Sequence, residues 1–148
     1  FWCRSCGCNP YNGAQQPYPQ RNLLRRIIED ADSCIYRPHP GATLRFGHET
    51  IILPLACLLD LNGYGRKMTD MERLDLDGWI NFEVFPMAAN IQFVFYRKNK
   101  HDRDIIFKVL LNENEATLPL PTDMAPYYRW SDFRDKYLKK LDAYVLAP

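Results

Sequence analysis

Apolar residues recur at helical spacing early in the chain. Leu23, Leu24, Ile27, Ile28, Ala31, Cys34 and Ile35 share one face, with Arg25, Arg26, Glu29, Asp30 and Asp32 opposite. This predicts an amphipathic helix over 22–35, capped by Asn22 and ended at the turn signal Pro38-His39-Pro40-Gly41. Residues 42–46 then read as a short strand, and the apolar run Ile51 to Leu61 reads as a helix over about 50–61 that stops at Asn62-Gly63. Pro54 lies too deep for a first helical turn, which predicts a late start or a kink. Trp79 to Phe85 alternates like a strand or an extended loop. Ile91, Phe93 and Phe95 alternate with Gln92, Val94 and Tyr96, and the run Ile105 to Leu111 is apolar apart from Lys108. With the polar stretch 98–103 between them, these runs predict a β-hairpin with a solvent-facing tip, covered on much of both faces. Leu118-Pro119-Leu120-Pro121 reads as an extended connector. Ser131 should cap a last helix whose packed face carries Phe133, Tyr137, Leu138, Leu141 and Tyr144.

The resulting order is helix, strand, helix, strand, strand, helix. That is α/β, and it resembles part of a three-layer sandwich more than a complete one. A lone strand at 42–46 needs parallel neighbours, and the chain offers few, so its sheet would have open edges. Residues 1–148 therefore read as a single domain or a fragment, with 1–21 an irregular lead-in of Cys, Gly, Pro, Asn and Gln without period. The absence of an initiator Met and of a basic start followed by an apolar segment fits an excised or processed piece. Its localisation is not written in these residues.

Composition narrows the classes. The net charge is +1, with Lys and Arg scattered among Asp and Glu and no basic block, so no nucleic-acid partner is expected. The longest apolar run, 51–59, is interrupted by Pro54 and is too short for a membrane span. Cys3, Cys6 and Cys8 cluster, while Cys34 and Cys57 sit in helix-like segments. A C-x-x-C pair can hold zinc or form a redox couple, but there is no second pair and the nearest histidine is His39, so no metal is expected. Unpaired thiols are the leading reading. Disulfide pairing, including with a residue outside this chain, is the alternative for an exported protein.

The chemistry concentrates at Ala42-Thr43-Leu44-Arg45-Phe46-Gly47-His48-Glu49-Thr50. A strand, a glycine, a polar triplet and a helix are how α/β proteins present reactive groups at the carboxyl end of a sheet. Backbone N–H groups at a helix start favour an anion, and a histidine there donates to phosphate-like oxygens. A partly buried Glu49 beside bound negative charge should keep a proton and deliver it to a leaving alkoxide. Arg45 could add a bidentate anion contact, and Thr50 a hydroxyl. An ordinary strand-to-helix turn with a dipole-complementing Glu49 is the competing reading. Arg66 and Lys67 are weaker anion candidates. Arg97, Lys98 and Lys100 read as a solvated turn, and Trp79, Trp130, Tyr127 and Tyr128 as packing residues.

Leu44-Arg45-Phe46-Gly47-His48-Glu49-Thr50, followed by Leu53-Pro54-Leu55, resembles the second signature of the histidine acid phosphatases. The likeness is greatest to the multiple inositol-polyphosphate phosphatase branch, which includes phytases. The helix at 22–35, the entry Pro86-Met87-Ala88-Ala89-Asn90 and the strand end Val109-Leu110-Leu111-Asn112-Glu113 agree, so the resemblance runs over roughly residues 17–145. It implies a phosphoglycerate mutase-like three-layer α/β/α sandwich and two-step hydrolysis of phosphate monoesters, inositol phosphates among them. In that family a histidine in Arg-His-Gly-x-Arg-x-Pro becomes phosphorylated. The equivalents here would be His48 as a phosphate contact and Glu49 as proton donor. No cofactor is implied, and periplasmic or secreted residence is.

The departures are specific. His39, His48 and His101 are the only histidines, and none is preceded by Arg and followed by Gly. The nucleophile motif is absent, and the resemblance covers the family's carboxyl-terminal half. Glu49 also stands where Asp is commoner. The expected partners are therefore a phosphate monoester or inorganic phosphate, a missing amino-terminal half, and further copies through exposed apolar edges. Alone, the chain should be inactive. The alternatives are a non-catalytic anion- or partner-binding module and, third, a metal or redox protein built on Cys3, Cys6 and Cys8.

Overall fold

The computed structural model describes residue 3, residues 6–8 and residues 15–144; part of the predicted lead-in 1–21 lies outside them. The chain enters through a 3-10 turn, Tyr18–Gln20, and continues directly into helix α1, Arg21–Cys34. The predicted cap at Asn22 is not used. Gln20 is the cap residue and makes no side-chain cap bond. Pro17 and Pro19 explain the early start, since fixed proline φ angles shape the turn that feeds the helix. Leu24 and Ile28 are fully buried on the predicted face.

Helix α2, Glu49–Leu59, is apolar almost all round and buried from Leu53 to Leu59, as suits a helix at the centre of a core. It neither starts late nor waits for Pro54. The carbonyl that Pro54 leaves without a donor belongs to exposed Thr50, where water can satisfy it. The helix ends at Asp60, which takes a left-handed conformation (φ 54°), two residues before the predicted Asn62-Gly63 stop. Asp60 Oδ1 accepts the Gly65 N–H at 2.7 Å. A Cβ at Gly65 would sit 2.6 Å from the Cys57 carbonyl oxygen, so this return loop requires glycine.

The sheet is antiparallel, with β2 (Ile106–Leu111) at its centre. The predicted hairpin is present: β1 (Ile91–Tyr96) pairs with β2 in the register Ile91 to Leu111 through Tyr96 to Ile106. The short strands β3 (Asn114–Ala116) and β4 (Tyr128–Arg129) pair with β2 along its other edge. A two-residue turn joins β2 to β3, with Asn112 and Glu113 at φ 51° and 68°, the left-handed pair that such hairpins need. Coverage is one-sided: Phe107, Val109 and Leu111 are buried, while β1 is half-exposed along its length. Trp79–Phe85 is not a strand; residues 81–84 form a short helix, α3 (Asn81–Val84), whose last carbonyls accept from the Asn112 side chain at 2.8 and 3.1 Å.

Helix α4, Trp130–Asp142, begins one residue before the predicted cap Ser131, because β4 runs straight into it and the Trp130 N–H donates to Ile105 O at 2.9 Å. Phe133, Tyr137 and Leu141 bury its inner face. Asp32 of α1 ties the two helices, accepting from Trp130 Nε1 and Arg134 Nε, each at 2.7 Å. Asp32→Ala is expected to cost about 1–3 kcal/mol, because the part-buried indole N–H loses its acceptor. Urea unfolding measures this, and a change within error would show that water replaces the carboxylate.

The predicted strand at 42–46 is absent. Residues 40–48 have no regular secondary structure and are exposed, Leu44 at 74% and Phe46 at 93%. A strand exists only with a partner, and among the described residues none lies beside this segment. It runs back along α1 instead, with Thr43 near Cys34 and Arg45 on Asp30.

Candidate active site

The polar triplet sits at the start of α2. His48 is the cap residue in extended conformation (φ −92°, ψ 165°), and its carbonyl accepts from Ile51 N at 2.9 Å. Glu49 and Thr50 are the first two helical residues. All three are exposed, and among the described residues neither the imidazole nor the carboxylate has a hydrogen-bond partner. The burial expected around Glu49 is therefore not supplied by these residues. Gly47 fits the corner closely, since a Cβ there would meet Ile51 Cδ1 at 3.1 Å.

The structure brings His48, Glu49 and Thr50 together at one helix terminus. Arg45 is held differently: its guanidinium pairs with Asp30 on α1, which Arg26 also approaches at 3.3 Å. Asp30 is the residue that the sequence reading missed at this site. Its place on the polar face of α1 was legible, but its pairing depends on how the 42–46 segment folds back.

The opposite end of α2 is closed. Asp60 N donates to the Ala56 and Cys57 carbonyls, Lys140 Nζ donates to Leu58 O at 2.7 Å, and the Tyr137 hydroxyl donates to Leu59 O. The last four carbonyls of the helix thus all have donors, with a cation at the negative end of the dipole. Burial is the main influence on Lys140 and moves its ammonium down from the usual lysine range.

The weaker candidates take ordinary places. Trp79, Trp130 and Tyr128 are buried in the core. His101 lies exposed at the hairpin tip and His39 in the exposed turn after α1. The five cysteines carry free thiols, Cys3 and Cys57 buried. Among the described residues, no group of three or more His, Cys, Asp or Glu is arranged to hold a metal ion, and no helix is long and apolar enough to cross a membrane.

Residues 11–112, more than half of the chain, match the family described as the histidine phosphatase superfamily (branch 2). Among solved structures, the crystal structure of the Bifidobacterium longum multiple inositol polyphosphate phosphatase in complex with inositol hexasulfate is similar. The TM-score is 0.69 and the identity 26%, over 83% of this chain and 26% of that one. This chain thus spans about a quarter of that structure's length. No curated protein matches. The fold is accordingly α/β and phosphoglycerate mutase-like, with the antiparallel sheet described above.

Proposed function

This chain belongs to the histidine phosphatase superfamily, branch 2, and on that premise we propose that it is part of an acid phosphatase acting on phosphate monoesters. One observation carries the reading. His48, Glu49 and Thr50 occupy the cap and first turn of an 11-residue helix, with the imidazole and carboxylate exposed and unpartnered among the described residues. The helix start attracts the phosphate. His48 donates to a phosphate oxygen, the Thr50 hydroxyl adds a second contact, and Glu49 gives its proton to the departing alkoxide. Arg45 reaches the anion only by exchanging its Asp30 partner, so its contribution is secondary.

The attacking histidine is not His39, His48 or His101, since none stands in an Arg-His-Gly context. It comes from polypeptide that this sequence does not contain, and the same polypeptide would cover exposed Leu44 and Phe46 and raise residues 42–46 into a strand. Attack forms a phosphohistidine, which water then hydrolyses. Inositol phosphates are proposed as substrates, supported by likeness to a phosphatase solved with inositol hexasulfate, a polyanionic ring of similar charge pattern.

This chain alone is expected to bind inorganic phosphate weakly and to leave p-nitrophenyl phosphate unhydrolysed. Together with the missing motif it is expected to turn over, with His48→Ala lowering kcat/KM at least about 100-fold. Robust turnover by this chain alone, lost in His48→Ala, would overturn the placing of the nucleophile elsewhere. The missing Arg-His-Gly motif also favours a second reading, a module that binds anions without catalysis. Phosphate binding without turnover, even when the motif is supplied, would select it.

A further inference from the structure

Away from this site, a cleft of about 620 Å³ opens beside the carboxyl-terminal half of α2, and two thiols line it, Cys8 and Cys57. We infer that Cys8 and Cys57 form a disulfide when the protein is oxidised, fastening the segment ahead of α1 to the middle of the core helix. The geometry selects this pair. Cys57 lies on α2 and is 1% exposed. Cys8 ends a tight turn in which Gly7 N donates to Cys3 O at 3.0 Å. That turn is pinned: a Cβ at Gly7 would lie 2.6 Å from the Cys3 oxygen and 3.2 Å from the Trp79 ring. The turn therefore holds Cys8 at the cleft wall. Cys34 is excluded, because it sits on α1 beside Thr43.

The electrostatics agree with the pairing and assign the roles. Burial raises the Cys57 thiol well above the usual range, and the nearby Cys8, Cys3 and Cys6 act in the same direction, but of these three only Cys8 lines the cleft with it. Cys8 is also raised by burial, but Lys140 and Lys67 pull it back toward the thiolate. Cys8 is half-buried and Cys57 almost sealed, so Cys8 meets an oxidant first. Its thiolate, having lost a proton to solvent, attacks a low-molecular-weight disulfide such as oxidised glutathione. This gives a mixed disulfide and releases one thiol. Cys57, deprotonated in turn, attacks the Cys8 sulfur and releases the second thiol. The two cysteines lose two protons and two electrons, and the oxidant takes up both.

The test is peptide mapping of the full chain equilibrated in glutathione buffers, alkylated before reduction. A peptide pair linked through Cys8 and Cys57 is expected under oxidising conditions and absent under reducing ones. The bridge closes a long loop, so oxidation should raise the thermal midpoint by roughly 10 °C. Cys8→Ser should abolish that rise and leave Cys57 free; because Cys8 is half-buried, this variant avoids the core damage of changing Cys57. Full alkylation of Cys57 after denaturation of the oxidised protein would overturn the proposal. So would a linked peptide joining Cys57 to Cys3 or Cys6, or an oxidation-dependent midpoint that persists in Cys8→Ser.

Discussion

Glutamine in place of Glu49, in a protein that also carries the attacking histidine, is expected to lower kcat by about 10²–10⁴-fold for alkyl phosphates. The loss for p-nitrophenyl phosphate should be far smaller. The contrast follows from the proposed role. An alkoxide is a poor leaving group until protonated, whereas p-nitrophenolate departs with little help. Glutamine keeps the length and hydrogen-bonding outline of glutamate but has no proton to give. The fold should tolerate the change, since Glu49 is exposed at the first position of α2. Its charge there adds only about 0.3–1 kcal/mol through the helix dipole. Steady-state rates across a series of leaving groups make the measurement. Equal losses across the series would remove Glu49 from the acid role and leave it a binding residue.

The largest expected effect on stability is at Phe107. Its ring is fully buried on β2 and stands 5.1 Å from Phe133, 5.6 Å from Trp130 and 5.8 Å from Phe95, centroid to centroid. The sheet, its edge strand and α4 thus meet on one side chain. Phe107→Ala is expected to cost about 3–5 kcal/mol, from lost transfer energy and the cavity left among rings that cannot collapse onto it. A domain holds only about 5–15 kcal/mol in total, so the variant should be close to unfolding at room temperature. Phe107→Leu should lose much less. Urea denaturation followed by tryptophan fluorescence reads both. A cost under about 1 kcal/mol for the alanine variant would mean that the aromatic cluster is not what joins sheet to helix.

The sequence exposed those parts of the fold whose signal is local. The hairpin of β1 and β2 was legible because two apolar runs rich in β-branched and aromatic residues flank a polar tip, and α1 and α4 because their apolar faces repeat at helical period. Element ends were less legible. Gln20, Asp60 and Arg129 flank the helices where Asn22, Asn62 and Ser131 have better intrinsic credentials, because neighbouring prolines, a left-handed residue and a preceding strand set the boundaries instead. Strands β3 and β4 are too short to show a period, and the brief helix α3 hides in an alternating run. Residues 42–46 mark a different limit. Their composition suits a strand, but being a strand depends on a neighbour, and no neighbour lies among the described residues. The triplet at 48–50 was readable because a helix start is local, whereas the Arg45–Asp30 pairing was not, because it joins two elements 15 residues apart.

The two ends of α2 are finished in opposite ways. Donors from the return loop and from α4 hold its last carbonyls, while its first turn is bare. Such a helix behaves as a short cantilever, clamped over its packed length from Leu53 to Leu59 and free over the turn ahead of it. At 11 residues the whole beam is about 16 Å long. A small tilt at the root, from a change at Tyr137 or Lys140, is therefore magnified into a displacement of the imidazole and carboxylate at the tip. Anyone redesigning the tip for a new anion would leave those two root residues untouched, and anyone seeking to detune it from a distance would begin with them.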